Sequence, residues 1–189
     1  MEKSTTKKKI AVFISGRGSN LKSLIKNSKL KKNKFKIHLV ISNKQTAQGL
    51  NYSKLNKIKS FAIEKKLKEF ENKSLSLIKK YKINYICLAG FMRILSSSFI
   101  KRVKIPIINI HPSLLPKFKG LNTHDRVIKS KQKFSGCTVH YVSEKLDSGK
   151  IILQKKVKIL KKDNSKTLAS KVLKLEHKAY SEALNLIIN

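Results

Sequence analysis

Four short and almost uninterrupted apolar runs, at residues 10–15, 37–42, 83–88 and 105–110, constrain this chain more than any other feature. Each is too short for a buried helix and rich in β-branched residues, so each reads as a strand covered on both faces. The segments between them carry helical spacing. Leu21, Leu24 and Ile25 share one face of a helix expected over 19–29. Further helices are expected near 46–56, 64–81 and 96–102, with a short strand at 60–63. This βαβα rhythm predicts an α/β fold, a doubly wound, Rossmann-like and mostly parallel sheet with right-handed crossovers. After Gly120 the pattern changes. Residues 137–142 and 151–159 alternate like antiparallel additions to one sheet edge, joined by a turn at Asp147-Ser148-Gly149. A long amphipathic helix is expected over 165–188.

A chain of 189 residues is one domain or two small ones, and no linker or repeat divides it. We read a single domain over 1–189, with residues 1–8 a basic, flexible amino terminus. The apolar run that follows is far too short to span a membrane, so the expected compartment is the cytoplasm. Cys87 and Cys137 lie inside strand-like runs without metal-ligand spacing, so we expect buried thiols and no metal. The formal charge of +34 suggests nucleic acid at first sight, but only four of the 44 basic residues are Arg. Sequence-specific readout draws on Arg and on aromatic stacking. The abundance of Lys, Asn and Ile instead matches A/T-rich codons, and no specific nucleic-acid partner is expected.

Three strand ends carry chemistry. Ser15-Gly16-Arg17-Gly18-Ser19-Asn20 lies between a strand and a helix, where free N–H groups favour an anion. It is neither a Walker loop nor a full dinucleotide fingerprint, and it suits a single phosphate; a plain turn capped by Ser19 is the alternative. Leu88-Ala89-Gly90-Phe91-Met92-Arg93-Ile94-Leu95 has apolar residues that can line a pocket for a flat ring or serve as core. Asn109-Ile110-His111-Pro112-Ser113-Leu114-Leu115-Pro116 places Asn109 and His111 on one face of a strand end. An amide, an imidazole and the distant carboxylate of Asp147 are the parts needed to polarise a carbonyl and move a proton. Leu115-Pro116 is the candidate cis bond. His140 lies seven residues before Asp147 and can reach the same region. Glu176, one of only ten acidic residues, sits on the last helix.

On these motifs, in order from Lys9 to about Ile188, the chain resembles the folate-dependent phosphoribosylglycinamide formyltransferases. The resemblance implies a formyltransferase fold and transfer of a formyl group from 10-formyltetrahydrofolate, a cosubstrate, to the amine of glycinamide ribonucleotide in purine biosynthesis. It implies that Gly18, Ser19 and Asn20 hold the phosphate and Glu176 the glycinamide end. Met92, Arg93, Ile94 and Leu95, with Asn109 and Ser143, Glu144, Lys145, Leu146 and Asp147, would surround the pterin. Asn109, His111 and Asp147 would be catalytic, with Asn109 and protonated His111 donating to the formyl oxygen. The partners implied are small molecules, with no metal or membrane, for a monomer or homodimer. Two departures stand out. Leu67 and Lys68 occupy the region of a family arginine near the folate tail, leaving Lys68 as its candidate. Relatives also continue past the position of Asn189, which we expect to affect peripheral packing. The tRNA formyltransferases and 10-formyltetrahydrofolate hydrolases share the third motif and the aspartate, but are expected to need further domains.

Overall fold

The computed structural model describes residues 7–188. In chain order the elements are β1 (Lys8–Ile14), α1 (Ser19–Ser28), β2 (Phe35–Ser42), α2 (Gly49–Leu55), β3 (Lys59–Ala62), α3 (Leu67–Lys80), β4 (Tyr85–Leu88), α4 (Ser97–Val103), β5 (Ile107–His111), α5 (Thr123–Lys129), β6 (Phe134–Tyr141), β7 (Ile151–Lys158) and α6 (Ser165–Ile187). The strands form one sheet in the order β3-β2-β1-β4-β5-β6-β7. The first five are parallel, while β6 runs antiparallel to both β5 and β7. The expected α/β sheet with an antiparallel edge is therefore the observed one.

The apolar runs become strands because both sheet faces are covered. On one face, Leu21 and Leu24 of α1 and Leu168, Val172 and Tyr180 of α6 pack on Val12, Val40 and Ile108. On the other, Phe70 and Ile78 of α3 and Phe99 of α4 pack on Ala11, Phe13 and Leu39. Fully burying a large apolar side chain contributes about 1.5–3 kcal/mol, so this two-sided core dominates the stability of the fold. Phe13 anchors an aromatic cluster, 5.7 Å from Phe70 and 5.6 Å from Phe91 between ring centroids. Both thiols are free and buried. No helix among the described residues is long and apolar enough to cross a membrane.

The topology positions the site. Chain order reverses at β1, which lies between β2 and β4, and open α/β sheets bind ligands beyond the strand carboxyl ends at such a point. Helix α6 runs back across the sheet. Its Glu176 meets Asn20 near the carboxyl end of β1, and Tyr85 at the start of β4 donates to Ile187 O. Between them the buried Tyr180 hydroxyl shares its one proton between the carbonyls of Leu88 and Ile108, at 3.0 and 2.9 Å, locking the helix to β4 and β5.

Several boundaries move. Helix α2 begins at Gly49 and α3 at Leu67, both later than the apolar pattern predicts. Of the expected flexible residues 1–8, the first six lie outside the described residues. Lys8 instead opens β1, and the Lys7 ammonium donates to Ser28 O and Leu30 O, both at 2.7 Å. The Leu115-Pro116 bond is cis, as expected.

Candidate active site

The polar cluster forms where β5, β6 and the β6–β7 turn converge. Asn109 lies directly opposite His140 across the antiparallel pair of β5 and β6. Asp147, in the left-handed region at φ 45°, turns its carboxylate back onto this pair. Asp residues tolerate that conformation better than most, and retained backbone strain is characteristic of functional sites. One Asp147 oxygen, Oδ2, lies 3.3 Å from His111 Nδ1 and accepts the Gly120 N–H at 2.9 Å. The other, Oδ1, lies 3.5 Å from Asn109 Nδ2 and 3.7 Å from His140 Nε2. His111, His140 and Asp147 are all buried, whereas Asn109 is half-buried and reachable.

Both His111 nitrogens face oxygen: Nδ1 the Asp147 carboxylate, and Nε2 the Phe118 carbonyl at 2.9 Å. Only a doubly protonated ring fills both contacts with donors. This arrangement differs from the expectation that His111 donates to a substrate oxygen, because the Phe118 carbonyl already takes the Nε2 proton. As placed, the ring bridges Asp147 and the loop carrying Phe118.

The second part of the edge is the loop after β1. Gly18 caps α1 at φ 75° without a side-chain bond, and α1 has no acidic residue in its first turn. Its leading N–H groups are thus available to an anion. Gly49 packs on this loop and donates its N–H to Gly16 O at 3.0 Å. A Cβ on Gly49 would stand 3.1 Å from Gly18 Cα and 2.7 Å from Ile14 Cδ1, so the close approach requires glycine. The Asn20 side chain does something other than expected. Its nitrogen donates to Glu176 Oε2 at 2.7 Å, while its Oδ1 is buried without a partner. That leaves a buried acceptor without a donor, which suits an N–H group rather than a phosphate. Burial raises the Glu176 carboxyl to about 7, against the lowering effect of the Asn20 bond.

The loop after β4 is bonded to the end of β1. Ser15 N–H donates to Gly90 O at 3.1 Å, and Ser15 Oγ accepts the Met92 N–H at 2.7 Å. The Asn43 amide turns its nitrogen to Ser15 Oγ and its oxygen to Arg93 Nε, at 2.6 and 3.2 Å. Arg93 also donates to Lys65 O and lies over the Phe70 ring. Its side chain therefore braces the loop. Leu95 and Phe91 belong to the core, and Met92 and Ile94 are the exposed apolar members. In the facing turn Leu146 is exposed, Ser143 bonds its own turn at Lys145 O, and Glu144 pairs with Lys101 on α4 at 3.2 Å. Lys68 is exposed in the first turn of α3, close in sequence to the Lys65 carbonyl that Arg93 holds.

A cavity of about 510 Å³ lies elsewhere. It is lined by residues 113–118 and the start of β6 and includes none of Asn109, His111, His140 or Asp147. Sequence reasoning did not identify the Ser15 brace or the Phe118 and Gly120 backbone contacts, because backbone groups carry no sequence signal. Among the described residues no group of three or more His, Cys, Asp or Glu is arranged to hold a metal ion.

A family model described as formyl transferase matches residues 8–184. The phosphoribosylglycinamide formyltransferase of Bacillus subtilis is 35% identical over 185 residues, covering 96% of this chain and 95% of that protein. The trifunctional purine biosynthetic protein adenosine-3 of Gallus gallus is 42% identical over 187 residues, covering 97% of this chain. This chain spans 19% of the length of that larger relative. The crystal structure of phosphoribosylglycinamide formyltransferase from Anaplasma phagocytophilum is 40% identical with a TM-score of 0.89, covering 97% of this chain and 88% of that one. A family match over nearly all of the sequence, on this sheet order and this strand-end cluster, means that the chain belongs to the formyl transferase family.

Proposed function

We propose that this chain transfers a formyl group from 10-formyltetrahydrofolate to the amine of glycinamide ribonucleotide, a step of purine biosynthesis. It would act in the cytoplasm as one domain over residues 1–189, as a monomer or homodimer, on small-molecule substrates and without a metal. The observation that carries the proposal is the arrangement along one sheet edge. An anion-favouring loop, the acceptor pair of Asn20 and Glu176, and the Asn109-His111-Asp147 cluster all gather near strand carboxyl ends.

The N–H groups of Gly18, Ser19 and Asn20 bind the phosphate, with the α1 dipole behind them. Asn20 Oδ1 and Glu176 accept from the N–H groups at the glycinamide end. Met92, Ile94 and Leu146 offer apolar contact to the pterin, while Arg93, Leu95, Ser143, Glu144 and Lys145 shape the two loops around it. Lys68 attracts the anionic folate tail. The amine nitrogen attacks the formyl carbon, forming the new C–N bond while the carbonyl electrons move to oxygen. Asn109 donates to that oxygen, and the charged His111 beside it favours the negative charge; one such donor is worth about 10²–10³ in rate. Asp147 takes the proton released by the amine. When the carbon–N10 bond breaks, that proton ends on N10 of the folate.

The test incubates the protein with 10-formyltetrahydrofolate, with and without glycinamide ribonucleotide. We expect folate turnover only with the ribonucleotide, matched one to one by formylated product. Turnover without the ribonucleotide would replace this reading with hydrolysis, and no turnover in either mixture would overturn it.

A further inference from the structure

His140 sits opposite Asn109 in the β5–β6 ladder and is 2% exposed. Its Nδ1 lies 2.8 Å from the carbonyl oxygen of Tyr141. A carbonyl only accepts, so Nδ1 carries a proton. Its Nε2 lies 3.2 Å from Asn109 Nδ2. The groups facing this ring are Asp147 and His111 on the site side, Lys119 from the loop before α5, and Tyr141 on its own strand. Burial is the largest influence and lowers the ring's pKa; the Tyr141 bond and Asp147 raise it, and His111 and Lys119 lower it. The neutral ring with Nδ1–H has a bare Nε2, which can only accept.

That single lone pair decides which way the Asn109 amide is turned. An amide oxygen facing Nε2 would set two acceptors against each other, so the amide nitrogen must face it. One N–H is then held by His140. The second makes only the long 3.5 Å contact to Asp147 Oδ1, the weaker of the two, which a substrate oxygen can displace.

We infer that His140 is a positioning residue that locks the Asn109 amide with its nitrogen toward the reacting centre. The inference rests on the formyl-transfer reading and deepens it. A protonated His140 would donate from Nε2, turn the Asn109 oxygen inward and remove the donor that faces the formyl oxygen.

Two measurements test this. Long-range ¹H–¹⁵N NMR of the intact protein, which needs no substrate, should show His140 protonated at Nδ1 and bare at Nε2 at neutral pH. An Nε2–H tautomer or an imidazolium there would overturn the inference, whatever the assay for formyl transfer gives. In kinetics, His140→Leu should lower kcat about 10- to 100-fold, less than the roughly 10²–10³ of losing the donor outright because the amide is misdirected only part of the time, with both KM values little changed. His140→Gln, which can place an oxygen acceptor near Nε2, should recover most of that loss and abolish the acid-side fall contributed by His140. In an Asn109→Ala background, His140→Leu should cost no more than about 2-fold, because coupled residues are not additive. A full loss in that background, or a folded His140→Gln no better than His140→Leu, would show that the ring does not act through Asn109. If His140→Leu fails to fold, the tautomer and the Gln variant still decide the matter. Absence of formyl transfer by the unaltered protein would overturn the activity alone.

Discussion

A single oxygen of Asp147, Oδ2, meets both His111 Nδ1 at 3.3 Å and the Gly120 N–H at 2.9 Å, so one buried carboxylate holds the imidazole and the loop before α5 together. Its other oxygen faces the Asn109 nitrogen. Both sides of the carboxylate thus face donors. In Asp147→Asn the amide must turn its nitrogen toward one of them and cannot take a proton from the amine. We expect kcat to fall about 10³- to 10⁴-fold with the circular dichroism spectrum unchanged. A turnover within tenfold of the unaltered protein would remove Asp147 from the chemistry.

His111→Ala deletes the imidazole beside Asp147 and its bond to Phe118 O. The expected result is a kcat lowered at least about 100-fold, together with faster proteolysis in the loop after Pro116, since that loop loses an anchor. Limited proteolysis and steady-state rates on the same preparation check both halves. An unchanged kcat would count against the catalytic assignment even if the loop became labile.

Glu176 links activity to stability through pH. Its folded pKa, raised to about 7 by burial, exceeds the ordinary carboxylate value of 4.5. The folded state therefore holds the proton more tightly than the unfolded one, and this contribution is complete below about pH 4.5. It is lost as pH rises towards 7, after which the penalty is constant. The full span is worth roughly 3 kcal/mol. Glu176→Gln stays neutral, so urea unfolding at pH 5 and pH 8 should show a smaller loss on raising pH than the parent shows. Equal losses in the two proteins would mean that Glu176 is not the titrating group.

Ser15 couples the loops after β1 and β4 through Gly90 O and the Met92 N–H. Ser15→Ala removes the acceptor for Met92 and the partner of Asn43. The expected cost is about 1–3 kcal/mol of stability, the usual range for a polar group left unpaired. The KM for formyl folate should rise several-fold while kcat is largely kept. A variant with unaltered folate KM would show that the brace is structural only.

Gly49→Ala tests the packing behind the loop after β1, the proposed phosphate site. The added methyl meets Gly18 Cα at 3.1 Å and Gly16 O at 3.3 Å, both backbone atoms with little freedom to move. We expect a destabilisation of about 1–3 kcal/mol and a raised ribonucleotide KM, as overpacking displaces the loop. Inorganic phosphate should inhibit the variant less well than the parent. Equal inhibition would separate the loop from phosphate binding.

The sheet was largely legible in the sequence because two-sided burial demands continuous apolar runs, and residues 10–15, 37–42 and 83–88 supply them. Helix starts were less so. Residues 46–48 and 64–66 continue the polar pattern of a helix without adopting one, since α2 begins where Gly49 can dock on the Gly16–Gly18 loop. The apolar loop 91–95 was ambiguous between pocket and core, and it divides residue by residue. Phe91 stacks on Phe70 at 5.4 Å, Leu95 is buried, and Met92 and Ile94 remain exposed. Alternation along an irregular loop cannot be read from spacing, because no fixed period applies.

What the sequence determined by itself was local. Apolar periodicity set the strands and helices, the two-residue spacing put Asn109 and His111 on one strand face, and Asp-Ser-Gly marked a turn. The tertiary structure decided which of these groups meet. The β5–β6 register set His140 against Asn109, the left-handed Asp147 aimed its carboxylate between them, and α6 carried Glu176 back to Asn20. Strand pairing, backbone twist and helix direction are long-range quantities fixed by burial across the whole sheet, and no window of sequence contains them.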